Sequence, residues 1–311
     1  MRANRLSASE IRSLLVGGAL LALAALLPIY GSAYWLTMGT TMAMFVVLAT
    51  SWALFSGPTH YISLATAAFF GIGTFVTGLG FQVLPFWALP LIAAGIGAVL
   101  AALVGLVTLR LSGVYFVIFT LGMAEMIRQI VTWVQNQTGA RGMYVLTSLT
   151  EREIYWMLIG LATLVYLAGW LIGRSRLGFA LRIIGNDETV AKHAGIDTAL
   201  AKVLLFMVPG AVAAAVGAIL APRYIYIEPS TAFAPLLSFQ VVIMALLGGT
   251  GRLWGPIAGV IPFTLLWEAI TRQAPNQTLL LLGLAFLLIV YVLPGGFVGL
   301  WDRLRHRWGA K

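Results

Sequence analysis

Residues 173–202 read GRSRLGFALRIIGNDETVAKHAGIDTALAK, a long polar run in a chain that is otherwise nearly continuous apolar segments. The chain has 311 residues, 60% of them hydrophobic and 9% charged. A soluble domain carries about 25% charged residues, so this composition does not supply a water-facing surface. The reading is an all-α integral membrane protein, with one membrane domain over residues 1–311. Residues 174–202 form an internal cytoplasmic loop of it and residues 135–153 an external loop. There are no cysteines, which excludes disulfides, iron–sulfur clusters and Cys-ligated zinc. No His/Asp/Glu group has the spacing of a metal site. The net charge of +9 fits Lys and Arg gathered on cytoplasmic loops. No basic domain is present to bind nucleic acid.

A helix needs about 20 apolar residues to cross a hydrocarbon core of about 30 Å. Segments of this kind lie at 14–34, 35–55, 64–84, 86–109, 114–134, 154–172, 203–221, 237–247, 254–270 and 279–298, which predicts a polytopic helical bundle of about ten spans. Arg2, Arg5 and Arg12 at one end, and Arg303, Arg305, Arg307 and Lys311 at the other, put both termini in the cytoplasm. The loop holding Arg174, Arg176, Arg182, Lys192 and Lys202 then also falls inside, as do Arg110 and Arg252. The loop 135–153 falls outside, where Glu151 and Glu153 balance Arg141 and Arg152. The first apolar run is longer than a signal-peptide core and another follows at once, so it reads as a span.

Two segments share a design. Ala53-Leu54-Phe55-Ser56-Gly57-Pro58 leads through Ile62-Ser63-Leu64 into a helix of small residues that includes Gly71 and Gly73. Ala245-Leu246-Leu247-Gly248-Gly249 leads through Gly251-Arg252-Leu253-Trp254-Gly255-Pro256 into another. Gly-interrupted repeats mark transport pathways, and this one is parallel because both turns face the cytoplasm. Coincident Gly-rich turns are the other reading, so these glycines serve a pathway or serve packing.

Within the polar run, Asn186-Asp187-Glu188 reads as a helix start, with an Asn cap and two acids at the positive end of the dipole. Lys192 and His193 suit the last turn, and Gly195 the C′ position. This predicts a short helix over about 187–194, with Val190, Ala191 and Ala194 on an outward apolar face. Asp197 caps the next helix. Such a helix suits a groove on another protein; a surface loop with incidental capping is the alternative. In the fifth span, Glu125 and Arg128 stand at i, i+3 on one face, either as a polar element of a pathway or as a pair that fixes packing.

The chain resembles the permease subunits of bacterial ABC importers for branched-chain amino acids, in their LivM-like branch. The resemblance rests on Ile62-Ser63-Leu64-Ala65-Thr66-Ala67-Ala68-Phe69-Phe70-Gly71-Ile72-Gly73, on Leu111-Ser112-Gly113-Val114-Tyr115-Phe116 through Ala124-Glu125-Met126-Ile127-Arg128, on the loop 173–202, and on Leu247-Gly248-Gly249-Thr250-Gly251-Arg252-Leu253-Trp254-Gly255-Pro256. The loop loosely matches the EAA signature that binds the ATPase subunit in such importers. The resemblance implies that Asn186, Asp187, Glu188, Val190, Ala191, Lys192, Ala194 and Gly195 couple to ATPase subunits. It implies a path shared with a homologous permease subunit, two ABC ATPase subunits that use the ATP, and a periplasmic or lipid-anchored substrate-binding protein. No cofactor is then bound directly by this chain, which sits in lipid as a multi-pass protein of the bacterial cytoplasmic (inner) membrane. The chain has no GxxxxGK[ST] phosphate loop and so reads as a transport subunit, not an enzyme. Gly139, Arg141 and Gly142 in the outer loop resemble a Gly-rich family segment, and with residues 224–235 suit a dock for the binding protein. One departure stands out: Ala65-Thr66 replaces the family's Gly-His pair. If that pair sets selectivity, urea or a short-chain amide becomes the alternative substrate. A transporter or channel working without ATP is the other alternative.

Overall fold

Apolar segments with no water to bond their backbone fold as helices, because a helix satisfies its N–H and C=O groups within the segment. The computed structural model describes residues 17–19, 22, 24–109, 111, 113–138, 142–292 and 296–299. Its helices are α1 (Leu27–Tyr30), α2 (Ala33–Thr59), α3 (Thr66–Gly80), α4 (Ala88–Thr108), α5 (Val114–Thr138), α6 (Glu151–Arg174), α7 (Arg176–Asn186), α8 (Glu188–His193), α9 (Thr198–Tyr224), α10 (Pro229–Ala232), α11 (Pro235–Gly248), α12 (Gly255–Gln273) and α13 (Thr278–Val292). A two-residue strand β1 (Met143–Tyr144) pairs antiparallel with β2 (Tyr226–Ile227). Among the described residues, six helical stretches are long and apolar enough to cross a membrane: α2, α4, Val114–Gln137 of α5, α6, α9, and Pro229–Gly248, which takes α10 and α11 together. The apolar helix α3 is shorter, at 15 residues. The charged residues expected at both termini, and Arg110, lie outside the described residues.

The spans are not equivalent. About three quarters of α2 and α9 is buried, against 28% or less of α4, α5 and α6. Lipid gives helices no hydrophobic reason to associate, so close packing of small side chains takes over. α9 supplies these at Gly210, Ala214, Gly217 and Ala218 and lies against α3, α4 and α2. A Cβ on Gly73 would stand 1.8 Å from the Ala214 carbonyl oxygen, and one on Gly217 2.0 Å from that of Phe70. Thr77 Oγ1 donates across the same seam to Ala218 O at 3.1 Å. Gly71 abuts the Phe233 ring. Gly73 and Gly71 thus have a packing role, and α3 is buried along most of its length.

Between α2 and α3 the chain is not helical. After Thr59 it turns through His60, which adopts the left-handed conformation (φ 59°). It then runs back along α2, so that Trp52 Nε1 donates to Ser63 O at 2.8 Å; Trp52 precedes the end of α2 by about two helical turns, or roughly 10 Å. Ser63, Leu64 and Ala65 are buried. Leu64 N donates to Thr120 Oγ1 of α5 at 3.1 Å and, at the start of α3, Ala67 N to Ser238 Oγ of α11 at 2.9 Å, whereas Ala65 N is met within the segment by Ser63 Oγ at 3.3 Å. Below it, Phe55, Phe116 and Phe206 stack, with Tyr61 edge-on to Phe116 at 5.2 Å between centroids.

Polar groups divide between the two ends of the bundle. One end gathers residues 57–60, the run 173–202 and the turn 249–254. The other gathers the β1–β2 pair, Arg223 with Glu151 (3.6 Å) and with Thr41 Oγ1 (3.2 Å), and Glu268 with Arg272 (2.9 Å). Gly217→Val is expected to separate α3 from α9 at an overpacking cost of about 1–3 kcal/mol, read as a lower melting temperature in detergent. Gly95→Ala, with open space at its Cβ, should leave it unchanged.

Candidate functional site

The polar run folds as a relay of capped helices. Ser175 caps α7, its hydroxyl accepting from Gly178 N at 3.2 Å. Gly178, Leu181 and Ile184 form the buried face of α7, and Arg182 stands outward, donating to Gly173 O. Asn186 is the last residue of α7 and not a cap. Asp187 takes that role: its extended backbone breaks the helix, and Oδ1 accepts from Thr189 N (2.7 Å) and Val190 N (3.2 Å). These backbone donors, Val190 first, hold its carboxyl below the usual range.

α8 ends in a Schellman motif. Gly195, at φ 76°, donates to Lys192 O, and Ile196 N to Ala191 O. Lys192 and His193 occupy the last turn as expected. The expected outward face is corrected: Ala191 is fully buried, whereas Val190 and Ala194 are exposed. The Gly195 turn brings the start of α9 back over α8, and Ala191 fills the space beneath. Asp197 caps α9 through Leu200 N at 3.0 Å.

That return creates a polar knot which the sequence reading missed. Lys202, in the second turn of α9, is 2% exposed. Its Nζ donates to both Glu188 oxygens (3.1 Å each), to Tyr61 Oη (3.3 Å) and to Leu109 O (3.3 Å), and lies 4.9 Å from the Tyr61 ring centroid. Thr198, one turn before Lys202, donates to Glu188 Oε1 at 3.1 Å, and Lys192 stands 3.4 Å from the same oxygen. A buried charge is tolerated when it is paired and bonded, and here all three ammonium protons have acceptors. Partial burial pushes the Glu188 carboxyl up, but Lys202, with Thr198 and Lys192, outweighs this and holds it below the usual value. The available signal was Thr198 and Lys202 at i, i+4 behind the Asp197 cap. Nothing local points to Tyr61 or Leu109.

The turns converge on the same end. His60 Nδ1 lies 3.0 Å from Gly185 O, and a Cβ on Gly185 would meet Pro58 O at 2.0 Å. A Cβ on Gly57 would stand 3.0 Å from Thr250 O, so the two similar turns touch. Gly248 and Gly255 pack backbone to backbone, and Gly249, at φ 96°, ends α11. Gly251 has open space and lines a cleft of about 130 Å³ with Thr50, Leu54, Gly169, Arg182 and Arg252.

Two other expected sites lie apart from this end. On α5, Arg128 Nε donates to Glu125 Oε2 at 2.8 Å, and Arg128 Nη2 pairs with Oε1. Gln129 Nε2 adds a third bond to Glu125 at 2.9 Å. The Arg128 and Glu125 side chains are 28% and 42% exposed, on a face shared with Gly122 and Thr132. In the outer loop, Gly139 and Arg141 lie outside the described residues. Gly142 packs on the Tyr226 ring beside the β1–β2 pair, which brings 142–144 against 226–227. Among the described residues no cluster of His, Asp and Glu suits a metal ion.

Asp187→Ala is expected to speed hydrogen exchange at the Thr189 and Val190 amides and leave α9 unchanged. The cap's depressed pKa means its contribution is full above the ordinary value of 3.8 and is lost as pH falls through the lower folded value. Mild acidification to pH 5 should therefore not reproduce the variant's effect.

A family model described as "Branched-chain amino acid transport system / permease component" matches residues 33–293. The high-affinity branched-chain amino acid transport system permease protein LivM of Escherichia coli (strain K12) is 25% identical over 325 aligned residues, covering 93% of this chain and 76% of the relative. The LivM protein of Salmonella typhimurium (strain LT2) is 24% identical with the same coverage. No solved structure gives a significant match. The family match runs from the first residue of α2 past the end of α13 and takes in both turns, the polar relay and the knot; the chain belongs to the branched-chain amino acid transport permease family.

Proposed function

We propose that this chain is the membrane subunit of a binding-protein-dependent ABC importer for branched-chain amino acids in a bacterial cytoplasmic membrane. It forms the path with a second, homologous permease and takes its energy from two ATPase subunits that bind the ATP. In this reading it has about ten spans, both termini and the end bearing α7 and α8 in the cytoplasm, and its two Gly-rich turns form a parallel repeat. The outer loop with Gly139, Arg141 and Gly142, beside β2, receives the binding protein.

The observation that carries the reading is α8. It is a short helix closed at both ends by capping, with Val190 and Ala194 exposed, and tied through Glu188 to the buried Lys202 of the core helix α9. A self-contained transporter has little use for such an element, whereas a subunit driven by a soluble motor needs a rigid contact. ATP binding that closes the ATPase pair moves α8, and the bundle opens alternately to each side. A second substrate reading, urea or a short-chain amide, rests on Ala65-Thr66 standing where the family has a Gly-His pair.

On α5, a partly exposed charged face is unfavourable against lipid, where insertion scales put an unpaired charge at about 2.5–3.5 kcal/mol. We place Glu125 and Arg128 toward the second permease. Arg128→Ala with Glu125 kept is expected to lower recovery of that subunit, and Arg128→Gln with Glu125→Gln to restore it.

A pull-down of the tagged chain in mild detergent, read by mass spectrometry, tests the whole reading. An ATPase with a phosphate loop and a second permease are the expected companions. A chain that purifies alone from its native host overturns the reading in favour of an ATP-independent transporter. Uptake of leucine against urea in the recovered complex decides between substrates.

A further inference from the structure

Two contacts carry the position of the polar relay into the bundle, and both end on the same short segment. His60 Nδ1 meets Gly185 O at the end of α7, and the Lys202 ammonium joins Glu188 of α8 to the hydroxyl and ring of Tyr61. His60 and Tyr61 open the non-helical stretch that runs to Ala65. Beyond local bonds of Tyr61 N to Thr59 Oγ1 and Ala65 N to Ser63 Oγ, it is tied by single bonds to side chains of three different helices: Trp52 of α2, Thr120 of α5 and, at the start of α3, Ser238 of α11. A helix gives up a ladder of bonds to move; this stretch needs to exchange a few side-chain partners. Non-helical backbone at membrane depth is tolerated where it is enclosed by protein or lines a path.

We propose that Lys202 is the positioning residue that transmits movement of α8 to residues 60–65, and that this non-helical segment, buried from Ser63 to Ala65, and not a whole span, is the element displaced first in the transport cycle. Glu188 pulls the ammonium with α8; Tyr61 follows the ammonium, and Ser63 and Leu64 follow Tyr61. The Leu109 carbonyl gives Lys202 a fixed pivot at the end of α4. The inference rests on the importer reading above, because it needs α8 to be driven from outside the chain.

The test uses the full complex with its ATPases, second permease and binding protein in proteoliposomes. The chain has no cysteine, so Ile62→Cys introduces a single thiol on this subunit, at a position 39% exposed. Its rate of reaction with a polar maleimide is compared with and without trapped ATP. The rate is expected to change severalfold between the two states, and the change to vanish in the Lys202→Met background. In complexes that assemble normally, Lys202→Met should lower uptake per ATP hydrolysed about tenfold, within the range of ordinary allosteric couplings, with basal ATP hydrolysis retained. Glu188→Gln should act in the same direction, and the double variant should be no worse than the worse single one. Equal thiol reactivity in both nucleotide states of the otherwise native complex overturns the proposal. So does a Lys202→Met complex with unchanged uptake per ATP. If Lys202→Met fails to assemble, Tyr61→Phe, which deletes one hydroxyl and keeps the ring, takes its place, and unchanged coupling there overturns the proposal equally. Failure of any ATPase to accompany the native chain defeats the importer reading itself, a separate outcome seen before these variants are made.

Discussion

The backbone of residues 63–65 is buried among apolar spans and has to be satisfied from within the protein, and much of the bundle is arranged around that need. An unpaired peptide group in hydrocarbon costs several kcal/mol; here Ser63 O, Leu64 N and, at the start of α3, Ala67 N each meet a polar side chain of another helix, while Ala65 N turns to Ser63 Oγ. Trp52, Thr120 and Ser238 are otherwise unremarkable residues of apolar spans; here they fix how α2, α5 and α11 stand around the N-terminus of α3. The arrangement also explains why α3 is short. About six residues that would have completed a membrane-length helix are spent on the return along α2.

Close approach through small side chains does the complementary work. With Gly73 against Ala214 and Gly217 against Phe70, α9 lies in near backbone contact with α3. Similar contacts of Gly97 with Gly210 and Ala214 bring α4 against it. The last carbonyls of a helix have no intrahelical partner and form the negative end of its dipole. Packing α4 this tightly on α9 delivers one of them, Leu109 O, to a position where a lysine two turns into α9 can reach it. The ammonium therefore sits in a place prepared by small residues about two to three helical turns away along the seam.

What the sequence made legible was local. The cap at Asp197, the C-terminal turn at Gly195 and the helical character of the apolar runs from α2 to α13 follow from rules that span a few residues, and they hold. Asn186 and Asp187 are both of a residue type that caps helices; what separates them is α7, which ends at Asn186 and leaves the capping position to Asp187. α7 was legible in principle from Ser175 and the spacing of Leu177, Leu181 and Ile184. Its arginines drew attention to charge instead of periodicity. The Lys202 knot was not legible: its acceptors come from positions 61, 109 and 188, and only the tertiary fold brings them together. Likewise, Gly71, Gly73, Gly248 and Gly255 read equally as pathway or packing in sequence, and the atoms facing each of them are close-packed backbone or ring.

Why a lysine stands at 202 can be argued from what an apolar residue there would lose. Replacing a buried ion pair by well-packed hydrophobic groups is often neutral or stabilising, so stability alone gives no reason for the ammonium. A methionine would fill the volume and touch the Tyr61 ring, but its contacts have no direction, and α8 would be free to slide against α9 within the limits of packing. The ammonium has three protons and meets acceptors on three separately anchored elements, at distances of 3.1–3.3 Å. Moving any one of them stretches bonds to the other two. Such a group contributes little to how firmly the bundle holds together and a great deal to whether a displacement at one element is felt at the next.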